Sequence, residues 1–199
     1  GPGVFESDIS QPDSGVDPLD RDLDFTATLG VASYLAEDAG VMEVQFSFTD
    51  METDMEGYVI PPGNLLYVDM YMPYDESGEL ATGDYTIANP ATGEAFSIYP
   101  GETIDFFGML FTVGTYADYI DADGTTVEGL LTEGTMNITG GNGNYTITCD
   151  FMTADGYSVK CTYSGPLTIQ GIPGPYSTLT GDYTLDLEGA AGIAYYYGD

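Results

Sequence analysis

YTITCDFMTADGYSVKCTY, residues 145–163, is two alternating apolar–polar runs around a turn, and its reading decides the fold. A three-residue loop centred on Asp155, with Gly156 in the left-handed position, closes the two runs as a hairpin. That register sets Cys149 opposite Cys161 and Phe151 opposite Val159, and puts Tyr145, Ile147, Cys149 and Phe151 on one inward face. On the other face Asp150 meets Lys160, one of only 2 basic residues in the chain. A cross-strand ion pair there contributes about 0.2–1 kcal/mol. Facing cysteines are within reach of a disulfide, but the closing pair Thr153–Tyr157 is hydrogen-bonded and so, by counting back, is 149–161. Such sites have the longer Cα spacing, which favours two buried thiols behaving as small hydrophobes. A metal site needs more ligands, and the chain has no histidine and no CxxC pair. The stretch is therefore a structural hairpin.

The same grammar extends outward. In VMEVQFSF, Met42, Val44, Phe46 and Phe48 alternate with polar residues. In LLYVDMYM, Leu66, Val68, Met70 and Met72 form one face, and Leu65, Tyr67, Asp69 and Tyr71 the other. Further strands are expected at DYTIA, AFSIY, FGMLFTVGTY, TVEGLL, GTMNIT and PLTIQ, with turns at DESG, NPATG, DADG, GGNG and PGP. No segment carries a capped 3.6-residue stripe; ASYLAEDAG is the best helical candidate. The expected class is all-β and mostly antiparallel, a β-sandwich first and a closed or half-open β-barrel as the alternative.

Residues 1–23, rich in Pro, Gly, Ser and Asp, read as a flexible leader, and 24–175 as the all-β domain. Residues 176–199 read as C-terminal strands. LTGDYTLDLEGAAGIAYYY echoes LDRDLDFTATLGVASYL near the start, so a true repeat would make this segment the opening of a second copy.

The charge balance excludes more than it identifies. With 33 Asp+Glu against 2 Lys+Arg, the net charge of −31 repels nucleic-acid backbones and anionic lipid surfaces. Cations, basic proteins and neutral glycans remain as partners, and the acid also serves solubility or a halophilic habitat. A hydrophobic content of 43% is enough for a folded core. No apolar run approaches a membrane span. The first residue is Gly1, which reads as a processed start from which a targeting segment has been removed.

Without histidine, Ser-His-Asp and Cys-His machinery is ruled out, and GxSxG and P-loop motifs are absent. Paired carboxylates for glycoside hydrolysis are present only in the sense that acids are everywhere. Tryptophan, the usual sugar platform, is missing, although 17 tyrosines can substitute for it in part. The most specific candidate is a calcium loop in DYIDADG: Asp118, Asp121 and Asp123 precede Gly124. Tyr119 and Leu130 stand where the full pattern needs oxygen ligands. ETDMEG (Glu52, Asp54, Glu56) and DESGE (Asp75, Glu76, Glu79) are comparable acidic clusters, with solvated turns as the plain reading. NIT and NYT match the N-glycosylation pattern but fall in expected strands.

The stretch LATGDYTI, followed by GTYADYIDADGTTVEGLLTEGTMNITGGNGNYTITCDFMTADGYSVKCTYSGPL, resembles uncharacterised surface lipoproteins of Bacteroidetes. The shared pattern is a G-x-Y-t strand, a G-n-Y-t-i hairpin and a G-y…y-x-G-p-l finish. The resemblance implies export, a lipid-anchored mature N-terminus and an all-β fold; the lipidated cysteine would precede Gly1. It carries no catalytic residues with it. The expected function is a non-enzymatic surface module that binds a glycan or a protein. The alternatives are a carboxylate-pair glycoside hydrolase and a purely structural repeat of a surface assembly.

Overall fold

The structure, a computed structural model, describes residues 16–56 and 58–173. The described residues form strands, turns and loops, with no helix. In chain order the strands are β1 (Asp17–Pro18), β2 (Leu23–Thr26), β3 (Leu29–Asp38), β4 (Val41–Thr49), β5 (Glu52–Thr53), β6 (Val59–Ile60), β7 (Gly63–Pro73) and β8 (Gly83–Ile87). They continue with β9 (Ser97–Ile98), β10 (Glu102–Phe106), β11 (Met109–Val113), β12 (Tyr116–Ile120), β13 (Thr126–Gly141), β14 (Asn144–Thr153), β15 (Ser158–Pro166) and β16 (Ile169–Gln170).

Five of them close on themselves. β7 pairs with β9, β9 with β8, β8 with β13, β13 with β12, and β12 returns to β7. The all-β expectation therefore holds in its barrel form. The principal ladder is one continuous sheet, not the two facing sheets of a sandwich. β3 and β4 extend the ring beyond β7, and β14 and β15 extend it beyond β13. The outer ends of this ladder are also joined. β2 runs parallel to β15, with Leu23 beside Val159, and the chain then passes into β3 on β4. Consecutive residues make the transfer: Ala27 N–H donates to Thr162 O at 2.8 Å and Thr28 N–H to Thr49 O at 2.9 Å. Joining the ends in this way leaves few free strand edges to template aggregation.

The period-two pattern explains what fills the interior. Met42, Val44, Phe46 and Phe48 of β4 and Leu66, Val68, Met70 and Met72 of β7 are all fully buried. Phe46 and Phe48 stack at 5.8 Å, and Phe48 meets Tyr163 of β15 at 5.6 Å. Each such side chain contributes about 1.5–3 kcal/mol of burial.

The hairpin of residues 145–163 has the expected register, including Cys149 opposite Cys161 and Asp150 opposite Lys160. Thr153 N–H donates to Tyr157 O at 2.9 Å, and Gly156 has φ +88°. The Lys160–Asp150 pair is an exposed contact of 3.8 Å, so its contribution is small. Both cysteines are unbonded and buried. Burial pushes the Cys161 thiol up to about 12 and Cys149 well above its ordinary value. Because the thiolate is the reactive form, native protein at pH 8 should leave an aromatic disulfide reagent unconsumed. Two thiols per chain should then titrate in guanidinium. Rapid reaction of the native protein would contradict this burial.

Three expectations change. ASYLAEDAG is strand, not helix: it forms most of β3 and the turn to β4, where Ala39 and Gly40 both take positive φ. A bulge between Tyr34 and Ala36 disturbs its alternation, and pairing with β4 overrides the local helical composition. TVEGLL and GTMNIT are one 16-residue strand, β13, bulged between Leu131 and Glu133. Residues 17–23 of the expected leader take part in the fold. Asp17–Pro18 pairs in parallel with β13, and Leu19 and Leu23 are buried in the core. The proposed second-copy segment, 176–199, lies outside the described residues.

Candidate functional site

Alternation that sends Leu66, Val68 and Met70 inward sends Tyr67, Asp69 and Tyr71 to the outer face of β7. β4 adds Glu43 and Gln45 beside them, and register places Gln45 opposite Asp69 and Glu43 opposite Tyr71. On the far side β12 adds Tyr116 opposite Tyr67 and Asp118 opposite Leu65. β13 then sets Glu128 directly opposite Asp118. The result is one outer face with two carboxylate pairs flanking a tyrosine pair. The Tyr67 and Tyr116 rings stack at 4.7 Å. Asp69 and Asp118 lie about 14 Å apart along the strands, so they cannot act together on one bond.

Each pair holds a carboxyl group under strain. Asp69 is 8% exposed, its Oδ1 has no hydrogen-bond partner, and Thr115 Oγ1 accepts its backbone N–H at 3.2 Å. Desolvation, and then the charge and hydrogen bonding of Glu43, push the Asp69 carboxyl well above the usual carboxylate range. The Asp69 carboxyl therefore holds its proton more tightly than an exposed aspartate does. Asp118 Oδ1 is also unpartnered, and burial with Glu128 opposite pushes that carboxyl up to about 7. Thr112 Oγ1 donates to Glu128 Oε1 at 2.6 Å. The phenols respond similarly. Burial, and then Glu43, take Tyr71 up to about 12, and the hydrogen bond to Glu102 does so for Tyr99.

Glu43 and Tyr71 also wall an open cleft of about 430 Å³, completed by Glu37, Asp38 and Glu94. Its volume lies within the range of small-ligand sites. Chemically the cleft offers hydrogen-bond acceptors, a phenol and an aromatic surface. The buried Asp69 carboxyl is not part of its wall.

No family model, curated protein or solved structure matches this chain.

The residues picked out in the sequence go to separate places. Asp118 belongs to the outer face beside Glu128, whereas Asp121 and Asp123 form the β12–β13 turn. There Asp121 Oδ1 accepts the N–H groups of Asp123 and Thr125 at 3.1 and 3.0 Å, and Asp123 Oδ1 accepts Thr125 Oγ1–H at 2.6 Å. The other acidic clusters do the same work. Asp54 Oδ1 accepts from Glu56 and Tyr58 N–H, and Asp75 Oδ1 from Ser77 N–H. In each of these turns a carboxylate oxygen accepts backbone N–H groups, as in Asx turns. Among the described residues no three acids or thiols are grouped as a metal's ligands would be. Of the residues in the site only Asp118 was picked out from the sequence; Glu43, Tyr67, Asp69, Tyr71, Tyr116 and Glu128 were missed. The available signal was Asp69, a lone acid among the apolar and aromatic residues of LLYVDMYM.

Proposed function

We propose that this protein is a non-enzymatic, exported surface module that binds a neutral glycan on the outer face of β4, β7 and β12. One observation carries the reading: an open cleft of small-ligand size sets the Tyr71 ring among the carboxylates of Glu37, Asp38, Glu43 and Glu94. Sugar hydroxyls donate well to carboxylates, and C–H faces of sugars rest on aromatic rings. An uncharged ligand also avoids the repulsion that an anionic glycan meets at a net charge of −31. Export and lipid anchoring follow from the family resemblance of the strand-and-turn pattern.

The test is a glycan array with the purified chain, repeated with Tyr71→Ala and Glu43→Gln. Dose-dependent binding that each substitution weakens by roughly tenfold supports the site, that being the scale of a lost anchor contact. A blank array with verified folded protein refutes the reading. Release of reducing sugar from a bound glycan would instead establish the hydrolase alternative.

A further inference from the structure

Between Gly101 and Gly114 the chain leaves the barrel as a separate two-stranded hairpin, β10–β11. Register puts Ile104 opposite Phe111 and Phe106 opposite Met109, all on one face. These are 39, 45, 58 and 58% exposed, and Phe107 at the apex is 90% exposed. The other face carries Thr103, Asp105, Leu110 and Thr112; Thr103, Leu110 and Thr112 are half-buried, and Thr112 is bonded to Glu128 of the barrel. The hairpin is thus amphipathic with its apolar side turned to water. Exposed apolar surface of this kind marks an interaction site.

The apex supports the same conclusion. Phe107 and Gly108 both have positive φ (55° and 80°), the geometry of a two-residue turn that favours Asn-Gly. An aromatic residue is sterically disfavoured there, and Phe107 gains only an edge contact with Phe106 at 4.6 Å. The base, in contrast, is rigid. A side chain at Gly101 would meet Thr115 O, and one at Gly114 would meet Pro100 O, so backbone packs on backbone there.

We infer that β10–β11 is a docking finger whose apolar face seats in a groove of a partner protein with a basic rim. Charge selects this occupant. A second copy would bring another −31 charge against the first. Tip-first insertion into a lipid bilayer would carry Asp105 into it, since Asp105 lies beside the apex and caps it by accepting Gly108 N–H at 2.7 Å. Docking by the face leaves Asp105 in water, and Glu102, which shares the apolar face at its base, then matches basic residues at the groove's edge. The finger lies apart from the cleft walls, so the inference does not depend on glycan binding.

The experiment places a photo-reactive benzoylphenylalanine at Met109, or at Asp105 on the opposite face, of the full chain in the cells that make it. One protein should cross-link from position 109 and not from 105. Purified, that protein should bind the wild-type chain, less tightly at high salt. It should bind Phe107→Asn and Met109→Ser at least roughly tenfold more weakly. Phe107→Asn should melt at or above the wild-type temperature, because Asn accepts positive φ, so lost binding cannot be ascribed to misfolding. Four results overturn the inference: no cross-link at 109, equal cross-linking from both faces, a cross-linked dimer of this chain, or binding to phosphatidylcholine vesicles that Phe107→Asn abolishes.

Discussion

The protein should be more stable at pH 5 than at pH 8, and replacing Asp69 and Asp118 by Asn should remove much of that difference. Both carboxyls are held above their ordinary value of 3.8, chiefly by desolvation and then by Glu43 and Glu128 respectively. A raised acid keeps its proton in the folded state to about pH 7, while the unfolded chain loses it near pH 4. Over that window the folded state binds more protons, so stability is fully present below pH 4 and is lost as the pH rises through 7. For Asp118 the effect is on the order of 2–4 kcal/mol, or about 5–15 °C in melting temperature for a chain of this size. Relief of the general negative charge acts in the same direction at low pH. Comparison with the Asn variants isolates the two sites, because Asn keeps the shape and supplies an N–H donor where the protonated acid supplies an O–H. Melting curves from pH 4 to 8 provide the measurement. A wild-type midpoint that rises towards pH 8, or Asn variants with an unchanged slope, would contradict the strained pairs.

Gly114→Ala should be among the most damaging single substitutions in the barrel. Gly114 has φ +77°, and a Cβ there would lie 2.1 Å from Pro100 O and 2.6 Å from the Tyr99 ring. The left-handed conformation alone costs about 1–2 kcal/mol in an L-residue. The carbonyl cannot retreat without displacing the 97–101 segment, in which Tyr99 N–H donates to Asp69 O at 2.8 Å and Gly101 N–H to Leu131 O at 2.8 Å. A total loss of about 3–5 kcal/mol is expected, with the barrel between β7 and β13 loosened. Gly124→Ala is the matched control, with φ +87° and nothing within 4 Å of the added methyl. It should cost only the conformational part. Urea denaturation of both variants decides the matter: equal midpoints would mean that the close approach at Pro100 carries no energy.

Local chemistry made some of this architecture legible. The 145–163 hairpin could be registered residue by residue, because Gly156 fixed its turn and the apolar set fixed its faces. The inner faces of β4 and β7 were equally plain. FGMLFTVGTY read as one strand, yet it spans an apex, all of β11 and the start of β12. Period-two patterning does not show that Gly114 lifts the chain out of one sheet and returns it to another. For the site, Asp69 stood out as an acid in a hydrophobic strand, but its partner Glu43 follows from the β4–β7 register. The Tyr67–Tyr116 stack requires β12 to lie beside β7, which no local pattern announces. An acidic run such as DYIDADG says how many carboxylates are present, not that one enters a sheet while two cap a turn.

The passage of the chain from β2 to β3 also sets an order of events in time. Thr26 and Thr162, whose hydroxyls lie 3.1 Å apart, are separated by 136 residues. β3, β4 and β7 follow one another closely, so they can associate while the rest of the chain is still being made. Leu23 and Phe25 must wait for Val159 and Cys161, nearly the last of the described strands. Pairings between such distant segments bear a large loop-closure entropy and are slow. Joining of the ladder's outer ends is thus expected to be the late, slow event of folding. Until it occurs, the flank of β15 and the apolar side of β2 are open to whatever assists the chain on its way.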